Sequence, residues 1–301
     1  MRKSQAMEAT LLSKVVLPLV LFIVMFGMGL SLVPGDFTKI FKKSKPAFVG
    51  ILGQLAILPL LAFVFTKAFA MDPVLAVGFF VIAVSPGGVT SNMFAYLAKG
   101  NTALSITLTA VVSLVTPFTV PVILNWKISQ YLGTSSEVEL PLLKTIGTLI
   151  LITVLPVALG MLLRNRRESL AGTIEKSVKY LSMVFLFVIV AGIAAQNWAE
   201  LPLFFAKVGT PIVLMNIAAM GVGFGLARMF RLSLADQKTI GVEVGIQNGT
   251  TALFITSTLL DDPIMSIPAA IYSLVMFGTG AMYSWYFSKV VNSKEVVNSG
   301  N

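Results

Sequence analysis

The sequence predicts an all-α integral membrane protein, a bundle of nine transmembrane helices, and three observations predict it. Of the 301 residues, 56% are hydrophobic and only 12% are charged, about half the charge of an average soluble domain. Apolar runs recur from Lys14 almost to the C-terminus, each bounded by a short polar patch, and each is about the 20 residues that cross a bilayer. Helices made from such runs are apolar all round, and a soluble core has no use for so many of them.

The spans lie near 12–33, 46–68, 74–98, 101–125, 140–163, 173–196, 208–230, 236–260 and 264–288, read between charges and Pro/Gly clusters. The first is too long for a cleavable signal peptide, and no small-residue cleavage pattern follows it. The third and eighth contain helix-breaking stretches. The polar tail from Lys289 to Asn301 is expected to fray. Nine spans place the termini on opposite sides, and alternation divides the 22 Lys and Arg 15 against 7. The richer side carries Lys39 to Lys45, Arg164 to Arg167 and Lys289. Because cytoplasmic loops are enriched in Lys and Arg, the C-terminus is predicted inside and the N-terminus outside a cell (inner) membrane.

Composition also removes classes of chemistry. There is no Cys and no His, so disulfides, thiolate sites and the commonest proton relay and metal ligand are absent. Net charge is +9, but the basic residues sit in loops without interleaved aromatics, so no nucleic-acid partner is expected. The bilayer is the partner that composition names. Carboxylate, amide, hydroxyl and backbone are the groups left to work with.

The third span contains Ser85-Pro86-Gly87-Gly88-Val89-Thr90-Ser91-Asn92. Proline removes a donor and clashes with the preceding turn; taken alone, the stretch also fits a simple kink. The eighth reads Gly241-Val242-Glu243-Val244-Gly245-Ile246-Gln247-Asn248-Gly249-Thr250-Thr251, with a carboxylate, two amides and no proline. A charge at the bilayer centre costs roughly 2.5–3.5 kcal/mol on insertion scales and marks function by default. No Lys or Arg is expected at that depth, so a metal cation is the simplest partner for Glu243; a protonated or merely structural carboxylate is the alternative. Broken spans five apart run in opposite directions, as in inverted repeats whose discontinuous helices cross at the midplane. Spans one to four then match six to nine and leave the fifth unpaired, a 4+5 arrangement. Pro86 to Ser105 and Gln247 to Ser266 are both 19 apart.

Hard cations take oxygen ligands. Ser91 and Asn92 follow the first break, Ser105 and Thr109 share a face of the next helix, and Glu243 completes that set. A second set combines Glu243, Gln247 and Gln54 with backbone carbonyls freed at the second break. Half-helices starting near Val89 and Gly249 present N–H groups that favour an anion, and Asn248 and Thr250 add neutral donors.

At these residues the chain resembles the bile acid:sodium symporter family. The resemblance rests on Met25-Phe26-Gly27-Met28-Gly29-Leu30 with Pro34 and Asp36, on Ser85 to Asn92, and on Tyr96-Leu97-Ala98-Lys99-Gly100-Asn101. Ser105, Thr109, Asp236-Gln237-Lys238-Thr239 and Glu243 to Asn248 complete it. It implies a core domain, about 46–125 and 208–288, and a panel domain, about 12–33 and 140–196. It also implies two sodium sites: Ser91, Asn92, Ser105, Thr109 and Glu243 match the first. Gln54, Glu243, Val244, Ile246 and Gln247 match the second, Val244 and Ile246 through their carbonyls. Val89, Thr90 and Asn248 match substrate-facing positions. Typical members resemble a ten-helix bundle; the expectation here is that their first helix, partner of the unpaired fifth span, is missing. Met276-Phe277 stands where some bacterial relatives carry a polar His-Asn pair.

The expected function is therefore sodium symport of a small organic anion, a bile-acid-like or pantoate-like carboxylate, by alternating access, and not an enzyme. A proton-coupled or uncoupled carrier that titrates Glu243 is the alternative.

Overall fold

The computed structural model describes residues 12–42, 44–133, 140–196, 198–199 and 201–298. Arg2, Lys3 and Lys43 of the charge division lie outside the described residues, as do the last three residues of the tail. Everything regular among the described residues is helical. In chain order the helices are α1 (Leu17–Leu30), α2 (Pro34–Lys42), α3 (Ser44–Ala68), α4 (Pro73–Val84), α5 (Val89–Leu97) and α6 (Thr102–Leu132). They continue with α7 (Leu142–Arg166), α8 (Glu168–Gln196), α9 (Pro202–Met229), α10 (Leu234–Gly245), α11 (Gly249–Phe254) and α12 (Pro263–Asn298). Six of these, among the described residues, are long and apolar enough to cross a membrane: α3, α6, α7, α8, α9 and α12.

Proline explains most of the irregularity inside these helices. Wide π-type turns occupy Leu12–Val16, Gly53–Ile57, Ile150–Val154 and Phe205–Gly209. Each ends two residues before a proline: Pro18, Pro59, Pro156 and Pro211. A proline cannot donate to the carbonyl four residues back, and its ring pushes on it. Widening the preceding turn relieves both problems. Proline alone does not break a helix here, since Pro117 and Pro121 sit inside α6 and Pro268 inside α12.

Two groups of helices pack around the breaks. α1 lies against α7 and α8; α4 packs on α6 and α12, and α9 on α10. Gly29 of α1 faces the Val157 backbone, and Gly160 of α7 faces that of Phe26 and Leu30. A side chain at either position would have no room, so these glycines let the two backbones touch, as small residues do between membrane helices.

Several expectations need correction. A short helix, α2, replaces the loop expected after the first span. α6 runs on to Leu132, and α12 to Asn298 through the tail expected to fray. Lys127 and Lys238, counted as loop charges, are buried within α6 and α10. The Lys127 ammonium lies 4.1 Å from the ring centres of both Phe63 and Trp126 and donates to Gln130 Oε1 at 2.7 Å. Ring faces and an amide oxygen stand in for the water it has lost.

Candidate functional site

Both suspect stretches are breaks. α4 stops at Ser85, the chain runs extended through Pro86-Gly87-Gly88, and α5 starts at Val89. α10 stops at Gly245, Ile246 to Asn248 are extended, and α11 starts at Gly249. The two extended pieces meet antiparallel at Gly87 and Gln247, with Asn248 N–H donating to Pro86 C=O at 2.8 Å. Each break thus satisfies part of the other's freed backbone, which a water-free setting demands. Asn216 Nδ2 and Tyr272 O–H both donate to Gly245 C=O at 2.8 Å and fix the end of α10.

Glu243 is fully buried at this junction. Its Oε2 accepts from Thr109 Oγ1 at 2.9 Å and from Gln54 Nε2 at 3.0 Å, and its Oε1 accepts from Ser105 Oγ. All three donors are neutral. Ser105 Oγ also lies 2.8 Å from Asn92 Oδ1, yet a hydroxyl has one proton for the two acceptors. Ser91 Oγ gives its proton to Gly88 C=O at 2.7 Å and meets Thr109 Oγ1 at 3.3 Å, whose own proton goes to Glu243. The five side chains expected as one set are therefore in one place, and they hold more oxygen lone pairs than protons. Gly87 closes the cage: a Cβ there would lie 3.0 Å from Glu243 Oε2.

The second expected set adjoins the first. Gln54 sits in the π turn of α3, and its Nε2 donates to Glu243 C=O at 2.9 Å. Gln247 Nε2 donates to Val244 C=O at 2.8 Å and Glu243 C=O at 3.2 Å. The amide oxygens of Gln54 and Gln247 are buried with no hydrogen-bond partner among the described residues. Leaving a buried acceptor bare costs about 1–3 kcal/mol, and a bare oxygen on each of the two glutamines that bond to Glu243 is what a hard cation would relieve. With one carboxylate among otherwise neutral oxygens, this donor set suits a monovalent ion. Residues of both sets fit sodium. For Ile246 no contact singles out its carbonyl.

The expected anion-facing residues also come together. Val89, Thr90, Asn248, Gly249 and Thr250 line one cavity of about 40 Å³ at the crossing. Asn248 Oδ1 caps α11 by accepting from Thr251 N–H at 3.0 Å, which leaves its Nδ2 as a donor. Opposite lie Val24, Met276, Phe277 and a face of α8: Lys179, Ser182, Met183 and Leu186. Sequence reasoning missed Lys179, which entered it only as one of the 15 Lys and Arg of the richer side. The recurrence at 179, 182, 183 and 186 is a one-face helical stripe that was available in the sequence but had no partner to orient it.

Residues 18–201 match the model of the sodium bile acid symporter family. An uncharacterized sodium-dependent transporter of Bacillus subtilis is 28% identical over 275 residues, 91% of this chain and 83% of the relative. A probable chloroplastic sodium/metabolite cotransporter of Oryza sativa is 26% identical over 83% of this chain, which spans 60% of that protein's length. The ileal sodium/bile acid cotransporter of Cricetulus griseus is 31% identical over 77% of this chain and 66% of its own.

Proposed function

The chain belongs to the sodium bile acid symporter family, and from that membership we propose that it is a sodium-coupled symporter of a small organic anion working by alternating access. It is a multi-pass membrane transporter and not an enzyme. The observation that carries the reading is the fully buried Glu243 held by neutral groups alone, beside two bare amide oxygens.

In this reading the nine expected spans are all used, α4–α5 and α10–α11 being the two discontinuous ones of a 4+5 inverted repeat. α3–α6 and α9–α12 form the core; α1, α7 and α8 form the panel. Ser91, Asn92, Ser105, Thr109 and Glu243 hold one sodium ion. Gln54, Glu243, Gln247 and the carbonyls of Val244 and Ile246 hold a second. Sodium neutralises Glu243, relieves the crowding of lone pairs and draws the breaks into one geometry. Thr90, Asn248 and Thr250, with backbone N–H groups of the first turns of α5 and α11, then receive the anion. Two sodium ions with a monoanion move one net charge inward, adding about 2.3 kcal/mol per 100 mV to the sodium gradient. The substrate class carried by this reading is a small carboxylate, pyruvate-like or pantoate-like, with a bile acid as the larger alternative. The excess of Lys and Arg on its side supports a cytoplasmic C-terminus.

The test is uptake into sealed proteoliposomes of labelled pyruvate, pantoate and taurocholate. An inward sodium gradient should drive accumulation of at least one of them, and replacing sodium with potassium should abolish it. Accumulation that follows a pH gradient, with no response to sodium, favours the alternative in which Glu243 carries a proton.

A further inference from the structure

We propose that Lys179 of α8 is the counter-charge for the transported anion, so that the substrate's carboxylate is held between the panel and the crossing of the broken helices. This rests on the reading of the crossing as an anion site. Lys179 lines the same cavity as Thr90 and Asn248, and it begins a stripe in which Ser182, Met183 and Leu186 face that cavity too. The stripe is contiguous at helical spacing. It places Lys179 on the face of α8 that lines the crossing.

Lys179 has no ion-pair partner among the described residues. The carboxylate one turn back on its own helix, Glu175, already pairs with Arg164 at 3.5 Å. Glu243 takes its hydrogen bonds from Ser105, Thr109 and Gln54, none of them charged. A cation within a membrane helix and lacking a protein counter-ion points to a ligand that supplies one. The rest of that wall is apolar: Val24, Met183, Met276 and Phe277. Phe277 is fixed by ring contacts with Phe94 and Phe187 at 6.1 and 5.7 Å. The site thus takes one anionic group and a short apolar body. Because Lys179 sits on α8 and Asn248 at the crossing, an anion bound to both ties the two helix groups together. That gives the substrate a differential contact in one conformation, which is what a ligand needs to shift a conformational equilibrium.

The experiment is a thermal-unfolding titration of the purified chain with pyruvate, pantoate, taurocholate and the neutral pyruvamide, in sodium and again in potassium. Wild type is compared with Lys179→Gln and Lys179→Arg. At least one carboxylate should stabilise the wild-type protein, and pyruvamide should not. Lys179→Gln should weaken that carboxylate about tenfold or more, the size of a lost charge-assisted hydrogen bond. Lys179→Arg should recover most of the affinity, and both variants should keep the sodium-induced stabilisation of wild type. Equal carboxylate affinity in Lys179→Gln overturns the proposal, and so does a wild-type protein that none of the three carboxylates stabilises. Absence of any sodium effect in wild type overturns the sodium reading instead. The potassium titrations leave the Lys179 comparison readable in that case.

Discussion

At the scale of single residues, the account turns on one carboxylate with too few protons and too many oxygens around it. Glu243→Gln keeps the shape and removes the charge. Without sodium the variant should be at least as stable as wild type, because a buried charge lacking an ion partner is unfavourable. With sodium the order should reverse. An ion present at a hundred times its Kd stabilises a folded protein by about 2.7 kcal/mol, and only wild type should gain it; melting curves with and without sodium read this directly. Gly87→Ala tests the cage from its other side. A Cβ 3.0 Å from Glu243 Oε2 forces the carboxylate or its ligands to move, so sodium affinity should fall at least tenfold while the fold persists. A wild-type sodium titration curve for Gly87→Ala would show that the cage is not where the ion binds.

The residues of the cage were legible in the sequence because they are rare where they occur. An acid, two amides and paired hydroxyls inside apolar runs carry a cost that lipid does not repay, so their positions stand out without coordinates. Lys179 was not legible in the same way. A lysine 11 residues into α8 reads equally well as a snorkelling end charge, and only the assembled cavity wall shows that its face of the helix meets the crossing. Lys127 misled for a related reason: the rings of Phe63 and Trp126 come from other parts of the fold or its immediate neighbour, and their convergence is tertiary.

At the scale of elements, the two breaks are made differently and hold each other. The first uses Pro86 followed by two glycines; the second has no proline and ends α10 where Asn216 and Tyr272 capture the Gly245 carbonyl. Tyr272→Phe removes one of those donors. It should cost about 1 kcal/mol, the net value of a typical internal hydrogen bond, and lower sodium affinity several-fold by loosening the segment that carries Val244 and Ile246. Sodium titrations of the melting temperature separate the two effects. A loss of stability with sodium affinity unchanged would mean that Tyr272 braces the fold and not the site. The break positions were readable from Pro, Gly and polar residues in apolar runs. The π turns were not anticipated, although four of the five have a proline two residues beyond them, because their effect is a widened turn rather than a broken one. That matters at Gln54, whose placement against Glu243 depends on the turn before Pro59.

At the scale of the molecule, one contact links the start of the first span to the end of the second broken one. Lys14 pairs with Asp261 at 3.3 Å, both well exposed. A surface pair of this kind is worth about 0–1 kcal/mol, weak enough to open and close in a working cycle. The chain has no native cysteine, so Lys14→Cys with Asp261→Cys introduces a single addressable pair. A short thiol-specific cross-linker across it should stop uptake and leave sodium-induced stabilisation in place; full uptake by the cross-linked protein would show that these two span ends do not separate during transport. The measurement that reaches furthest is equilibrium binding of radiolabelled sodium to the purified chain, wild type beside Glu243→Gln. Saturable binding that excess potassium does not displace, and that the variant lacks, is the predicted result. Sodium binding of equal strength in both proteins, or none in wild type, would contradict a cation held by Glu243 where the two broken helices cross.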